Sequence, residues 1–219
     1  MIAIAQTPPA PLDAGDFAAW LSQTRAMLRG EAGPEVPCGD CVGCCVSSYP
    51  VPIRAHESAS LAAIPIQHLA RSANHHALII ALPDGRCPML NSDAKGCSIY
   101  SHRPLTCRDY DCRIFAAAGI AAGSDDRSVI NARVREWRFS YGNASDRMMH
   151  EAIKSAAAFI SSEAQRFEGR APGTPTGIAV LAIKVYPVFL HSSLQTSSPE
   201  RIVQSILQTS REFDSSTHA

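Results

Sequence analysis

The sequence predicts an α+β fold in which an irregular, cysteine-rich half with short strands packs on a mainly α-helical carboxyl-terminal half. Three observations carry this expectation. All eight cysteines lie between residues 38 and 112 of the 219. That stretch is broken by prolines and glycines and holds little apolar periodicity. From residue 145 onward the apolar residues recur at helical spacing and no cysteine appears. The expected layout is an amino-terminal leader and helix over 1–32, a cysteine-cluster metal-binding region over 33–118, and a mainly helical region over 119–219 packed on it as one compact unit.

In chain order, residues 6–15 are rich in proline and alanine and read as a loose leader. Asp16 to Arg29 reads as a helix, with Phe17, Trp20, Leu21 and Leu28 on one face and Gly30 placed to end it. Ala55 to Ala63 is a short helix that stops before Pro65. Ala77 to Leu82 is a short apolar run that fits a strand. Pro104 to Ala118 can be helical, with proline at the first position and Gly119 at the end. Val129 to Phe139 alternates like a strand, with Ile130, Ala132 and Val134 on one side. Asp146 to Phe167 is the clearest helix. Ser145 is its expected cap, and Met149, Ala152, Ile153, Ala156 and Ile160 form its stripe. Ile178 to Leu190 carries a stripe through Leu181, Ala182, Val185 and Phe189, with a kink at Pro187. Ser198-Pro199-Glu200 opens a last helix with Ile202, Val203, Ile206 and Leu207 facing inward.

The chain has 46% hydrophobic and 18% charged residues, an ordinary globular composition. Lysine plus arginine is 20 and aspartate plus glutamate is 20. A balanced chain has no general electrostatic drive toward nucleic acid or an anionic membrane, so neither is an expected partner. The longest apolar run, Ile178 to Leu190, is interrupted by Lys184 and Pro187 and is too short for a bilayer. Residues 1–8 have neither a charged start nor a signal-length apolar stretch. The expected location is therefore the cytoplasm, where thiols stay reduced.

The cysteines carry the chemistry. Cys38-Gly39-Asp40-Cys41-Val42-Gly43-Cys44-Cys45 spells C-x2-C-x2-C-C, and Cys87, Cys97, Cys107 and Cys112 follow. A two-residue spacing lets a tight turn aim successive thiolates at one centre, and the glycines let the backbone curl toward the sulfurs. Thiolates are soft donors that select zinc, copper(I) or iron–sulfur clusters. C-x2-C-x2-C opens a bacterial cubane-type run, whereas a zinc ribbon more often offers two separate C-x2-C pairs. The spacing thus tilts toward an iron–sulfur cluster (4Fe-4S) and leaves Zn2+ open. Disulfides fit less well: the compartment is reducing, and adjacent Cys44 and Cys45 cannot pair without strain. Arg86, Arg103, Arg108 and Arg113 lie beside cysteines in sequence, where guanidiniums can offset excess thiolate charge. In a continuous helix Cys107 and Cys112 stand roughly 140° apart and cannot face one centre.

Cys38-x2-Cys41-x2-Cys44-Cys45, followed by Gly96-Cys97-Ser98-Ile99-Tyr100 and Arg103-Pro104-x2-Cys107-Arg108, resembles the YkgJ family of cysteine-cluster proteins over roughly residues 38–115. The resemblance implies a zinc- or iron-chelating domain, whose motif flagellin lysine methylase shares. It implies Cys38, Cys41, Cys44, Cys45, Cys87, Cys97 and Cys107 as ligands. Cys112 falls beyond the motif core and is the least secure of the eight candidates.

Three functions compete on this reading. One is a metal-chelating protein without catalysis, one a cluster-dependent protein lysine methyltransferase, and one a zinc-stabilised protein-interaction module. The chain has no P-loop and no G-x-G-x-x-G, which weighs against the enzyme. His75-His76 reads as a solvated pair, and His102 is the best histidine candidate among the cysteines. Asp109 and Asp111 read as partners for Arg108 or Arg113. Arg133, Arg135 and Trp137 read as a solvated strand face, and Met148 with Met149 as core.

Overall fold

The computed structural model describes residues 11–31, 36, 41–71, 77–93, 95–190 and 197–216. Strand β1 (Leu12–Asp16) runs straight into helix α1 (Phe17–Leu28). The Asp16 carboxylate caps that helix by accepting from the Ala19 amide at 2.9 Å. Phe17, Trp20, Leu21 and Thr24 are its buried face, and Gly30, at φ +80°, follows its end. Within the expected loose leader, Leu12–Asp16 is therefore ordered, because a partner distant in sequence supplies its hydrogen bonds.

The cysteine region contains a small antiparallel sheet. Strands β2 (Val51–Ile53), β3 (Leu69–Arg71) and β4 (Ala77–Ile79) pair in the order β2-β4-β3, with Val51 and Leu69 both opposite Ile79. Between β2 and β3 lies α2 (Ser58–Ala63). Ile53, Ile64, Ile79 and Met89 form the buried core of this region. Four apolar side chains are a thin core for so long a segment, as its weak periodicity predicts.

The expected helix over 104–118 is divided. Helix α3 (Leu105–Asp109) ends at extended Tyr110, and α4 (Arg113–Ala118) begins after Cys112. Gly119, at φ +67°, is the left-handed cap that stops α4. The expected strand over 129–139 is a correction. Its first part is helix α5 (Ser128–Glu136), and only Trp137–Ser140 is a strand, β5. Ile130 and Val134 satisfy the helical i, i+4 spacing as well as alternation, and both are buried. Arg133 and Glu136 pair across one turn at 3.3 Å. Strand β5 lies parallel to β1.

The clearest expected helix is α6 (Ala144–Ser162), followed by a 3-10 turn over Ala164–Phe167. Its cap is Asn143, not Ser145. The Asn143 side chain accepts from the Asp146 amide at 3.1 Å, and the Asp146 carboxylate accepts from the Asn143 amide at 3.2 Å. Met148 is exposed rather than core, while Met149 is partly buried. Helix α7 (Pro175–Val185) gives way to a 3-10 turn over Tyr186–Leu190, so Pro187 terminates the α-helix instead of kinking it. Helix α8 (Pro199–Ser215) is capped by Ser198.

Helices α4, α6 and α7 pack on one another, and α8 covers α7. Phe17, Phe115, Ile153, Ile160, Phe167, Ile183 and Ile206 are fully buried in the main core. Leu181, expected in the stripe, is only partly buried, and Ala179 and Ile183 take the deeper positions. Among the described residues no helix is long and apolar enough to cross a membrane. The α+β expectation is met: a few short strands in small sheets, with a mainly helical carboxyl-terminal half.

Candidate metal centre

The first cysteine segment is a tight turn. Cys41 leads into a 3-10 turn over Cys44–Val46, in which the amides of Cys45 and Val46 both donate to the Val42 carbonyl, at 2.8 and 3.2 Å. Ser47 Oγ closes it by donating to the Gly43 carbonyl at 2.6 Å. Gly43 lies close to α5: a Cβ there would make ordinary contact with an Ile130 side-chain carbon at 3.4 Å and Cys41 Sγ at 3.7 Å. The turn thereby sits directly against α5 and the main core.

The second segment is tied to the first by backbone. The Cys87 amide donates to the Cys45 carbonyl at 2.6 Å, and the Ser48 amide donates to Gly85 at 3.0 Å. Cys97 bridges to Leu90 in antiparallel fashion, which folds it back beside Cys87. Cys107 is positioned by α3. Buried Glu57 accepts from the Leu105 amide at 2.6 Å and from the Arg54 amide at 2.7 Å. Thr106 Oγ1 donates to the Pro52 carbonyl at 2.7 Å.

These ties bring Cys41, Cys44, Cys45, Cys87, Cys97 and Cys107 onto one cavity of about 60 Å³. One water-sized sphere needs about 10–15 Å³, so the space admits a metal ion. Its described lining contains no histidine and no carboxylate; besides sulfur it offers apolar groups, Tyr100 and Arg103. Such a donor set fits a soft or borderline metal and not a hard oxygen-seeking one. Cys44 Sγ and Cys45 Sγ are 4.0 Å apart. Among the described residues no three such side chains are drawn together at single-ion coordination distance.

Cys44, Cys87 and Cys107 are held toward the neutral thiol. Cys44 is pushed far up by its hydrogen bond with Cys45 and by burial. Burial pushes Cys107 up to about 12, reinforced by Cys44, Cys87 and Cys97, while Arg103 opposes the rise. Cys87 is raised mainly by burial. Thiolate coordination to any metal would therefore release protons.

Of the four arginines near cysteines, Arg103 alone lines the cavity. It is 4% exposed and lies 3.9 Å over the Tyr100 ring. Arg86 pairs with Asp84 at 2.6 Å, and Arg108 donates to the Arg103 and Ser101 carbonyls. Arg113 pairs with Asp111 at 2.8 Å, as its sequence position suggested.

Cys112 does not line that cavity. It accepts a hydrogen bond from Trp137 Nε1 at 3.2 Å and lines a second, mostly apolar cavity of about 350 Å³. Cys41 and Cys44 border both cavities. Burial holds the Cys112 thiol up to about 12. Asp111 fixes this segment by accepting from Trp20 Nε1 at 2.9 Å. Cys38, His75 and His76 lie outside the described residues. His102 is exposed and does not line the cysteine cavity. Sequence reasoning missed Glu57 and Trp137 as positioning groups. A glutamate before a short helix gave a faint signal for the first, and nothing local marked the second.

Residues 37–129 match the family model CxxCxxCC, described as "Putative zinc- or iron-chelating domain". Over these residues the chain is similar to that family, and the YkgJ resemblance fits the match. The match takes in all eight cysteines and stops before α6. No curated protein and no solved structure matches the chain.

Proposed function

We propose that the chain binds its metal as an iron–sulfur cluster held by thiolates of the set Cys38, Cys41, Cys44, Cys45, Cys87, Cys97 and Cys107, and that its role is to chelate this centre without catalysis of its own. The observation that carries the reading is the single cavity shared by six cysteines from two segments more than 40 residues apart. The C-x2-C-x2-C spacing favours a cluster over zinc, since cubane sites open with that run. On this reading residues 33–118 are the metal-binding region, and 1–32 with 119–219 are its scaffold. Arg103 offsets thiolate charge from within the cavity. Cys112 stays outside the ligand set, because it faces the neighbouring cavity and Trp137. A reducing compartment such as the cytoplasm suits so many free thiols.

Anaerobic purification followed by iron, zinc and acid-labile sulfide analysis tests this. The expected result is a brown protein with iron and sulfide in equal amounts. Cys45→Ser should lose most of it, and Cys112→Ser should keep it. A colourless protein holding only zinc would discard the cluster and leave a zinc-chelating domain.

A further inference from the structure

A second cavity, away from the cysteines, has a charge that the neutral chain as a whole does not. It is an open groove of about 570 Å³ between α4, α5, β5 and α6. Arg135, Arg138 and Lys154 line it, and none of its described lining residues is acidic. The nearby carboxylates are engaged: Glu136 pairs with Arg133 at 3.3 Å, and exposed Glu151 pairs with Lys154 at 2.8 Å. Arg138 is held in place by donating to the Arg135 and Trp137 carbonyls, at 2.6 and 2.8 Å, and these contacts leave its charge uncompensated. Arg135 has no carboxylate partner among the described residues.

The rest of the lining is built and not merely solvated. Asn131 fixes the turn at one end, accepting from the Ala122 amide at 2.8 Å and donating to the Gly123 carbonyl at 2.9 Å. His150 also lines the groove and is only 6% exposed. Its Nδ1 lies 2.7 Å from the Tyr141 hydroxyl, and its Nε2 is buried without a hydrogen-bond partner. Trp137 and Phe139 supply aromatic surface. The groove lies in the range of small-molecule sites, about 300–1,000 Å³, which combine apolar walls with a few convergent polar groups.

We propose that this groove binds a small phosphorylated ligand carrying a planar ring, with the phosphate held by Arg135 and Arg138 and the ring lying against Trp137. Guanidiniums bind phosphate through paired, charge-assisted hydrogen bonds, and two of them match its charge. A polynucleotide would need a basic track beyond this groove, and the balanced chain gives no general drive toward one. The site is independent of the metal, because none of the cavity cysteines borders it.

Calorimetric titration of the full chain tests the proposal, with adenosine monophosphate, inorganic phosphate, adenosine and a twelve-residue single-stranded oligonucleotide as probes. The monophosphate should bind with a Kd of about 1 mM or tighter. Inorganic phosphate should bind more weakly, and adenosine more weakly still. Arg135→Gln with Arg138→Gln should weaken monophosphate binding at least about tenfold. Both side chains are exposed, so circular dichroism should be unchanged; Arg135→Gln alone serves if the double variant is unfolded. Arg211→Gln, far from the groove, should bind as the parent does. No binding of the monophosphate at 10 mM, or binding untouched by the arginine variants, would overturn the site. An oligonucleotide that binds far more tightly, and loses that binding in the same variants, would replace the small ligand with a nucleic-acid surface.

Discussion

Glu57 offers the sharpest test of how Cys107 is held. The carboxylate is 8% exposed and spans two elements, accepting from the Arg54 amide at 2.7 Å and from the Leu105 amide at 2.6 Å. Leu105 opens α3, which carries Cys107 two residues on. Hydrogen bonds to an ionised acceptor contribute about 1.5–3 kcal/mol each. Glu57→Ala removes both and leaves two part-buried amides to find water, so a loss of about 3–5 kcal/mol is expected. Glu57→Gln keeps one acceptor oxygen and should lose about half of that. Urea unfolding monitored by circular dichroism gives both numbers. Metal content should fall in the same order, since α3 would no longer be pinned beside β2. If Glu57→Ala unfolds within about 0.5 kcal/mol of the parent, the range of an indifferent surface site, the carboxylate is not what positions Cys107.

Three further outcomes follow from the same geometry. Removing the metal under reducing conditions should quicken hydrogen exchange most across residues 51–99, around the thin core, and leave 145–162 nearly unchanged, because the buried residues of the second stretch belong to the main core. Ile153→Ala should cost about 2–5 kcal/mol, as the side chain is fully buried, with metal content per folded molecule unchanged; Leu181→Ala should cost less, being partly exposed. Burial, and then the Lys154 charge, hold His150 below its ordinary range, so the unfolded chain takes up its proton more readily. The stabilising contribution of its neutral form is present above about pH 6.5 and is lost as pH falls through the lowered value. His150→Gln should flatten that part of the stability profile, measured as urea midpoints between pH 7 and pH 5.

The parts of the fold legible in the sequence are those whose signals are local. Helices α1, α6 and α8 each combine an apolar stripe with an acid, an amide or a hydroxyl at the cap, and the structure places all three close to the expected bounds. The β1–β5 pair was invisible because its hydrogen bonds join segments more than 100 residues apart. Helix α5 was misread because Ile130, Ala132 and Val134 satisfy two periods at once, and the Arg133–Glu136 pair that favours the helix is a weak sign. In the site, spacing and motif singled out Cys41, Cys44, Cys45, Cys87, Cys97 and Cys107, which line one cavity, though no three of them are drawn to single-ion distance among the described residues. The break at Tyr110, which sends Cys112 to another cavity, was legible only as a conflict: five helical residues could not aim both sulfurs one way.

The two cores also indicate why metal loss should act on one half. The turn carrying Cys44 packs against the main helical core, with Gly43 on Ile130 and with Tyr49 and Tyr110 beside it. Cys87 and Cys97 instead pack against the four-residue core of Ile53, Ile64, Ile79 and Met89. The cysteine cavity is therefore the seam between a well-filled core and a thin one. Across that seam the protein's own ties include the Cys87–Cys45 backbone bond and the Ser48–Gly85 contact. A net hydrogen bond is worth about 1 kcal/mol, whereas a thiolate metal site in a small domain contributes on the order of 10 kcal/mol. On the proposed reading the metal is the dominant fastening between the cores. The thin core should then loosen on metal loss, while the helices that carry Ile153 and Ile183 remain folded.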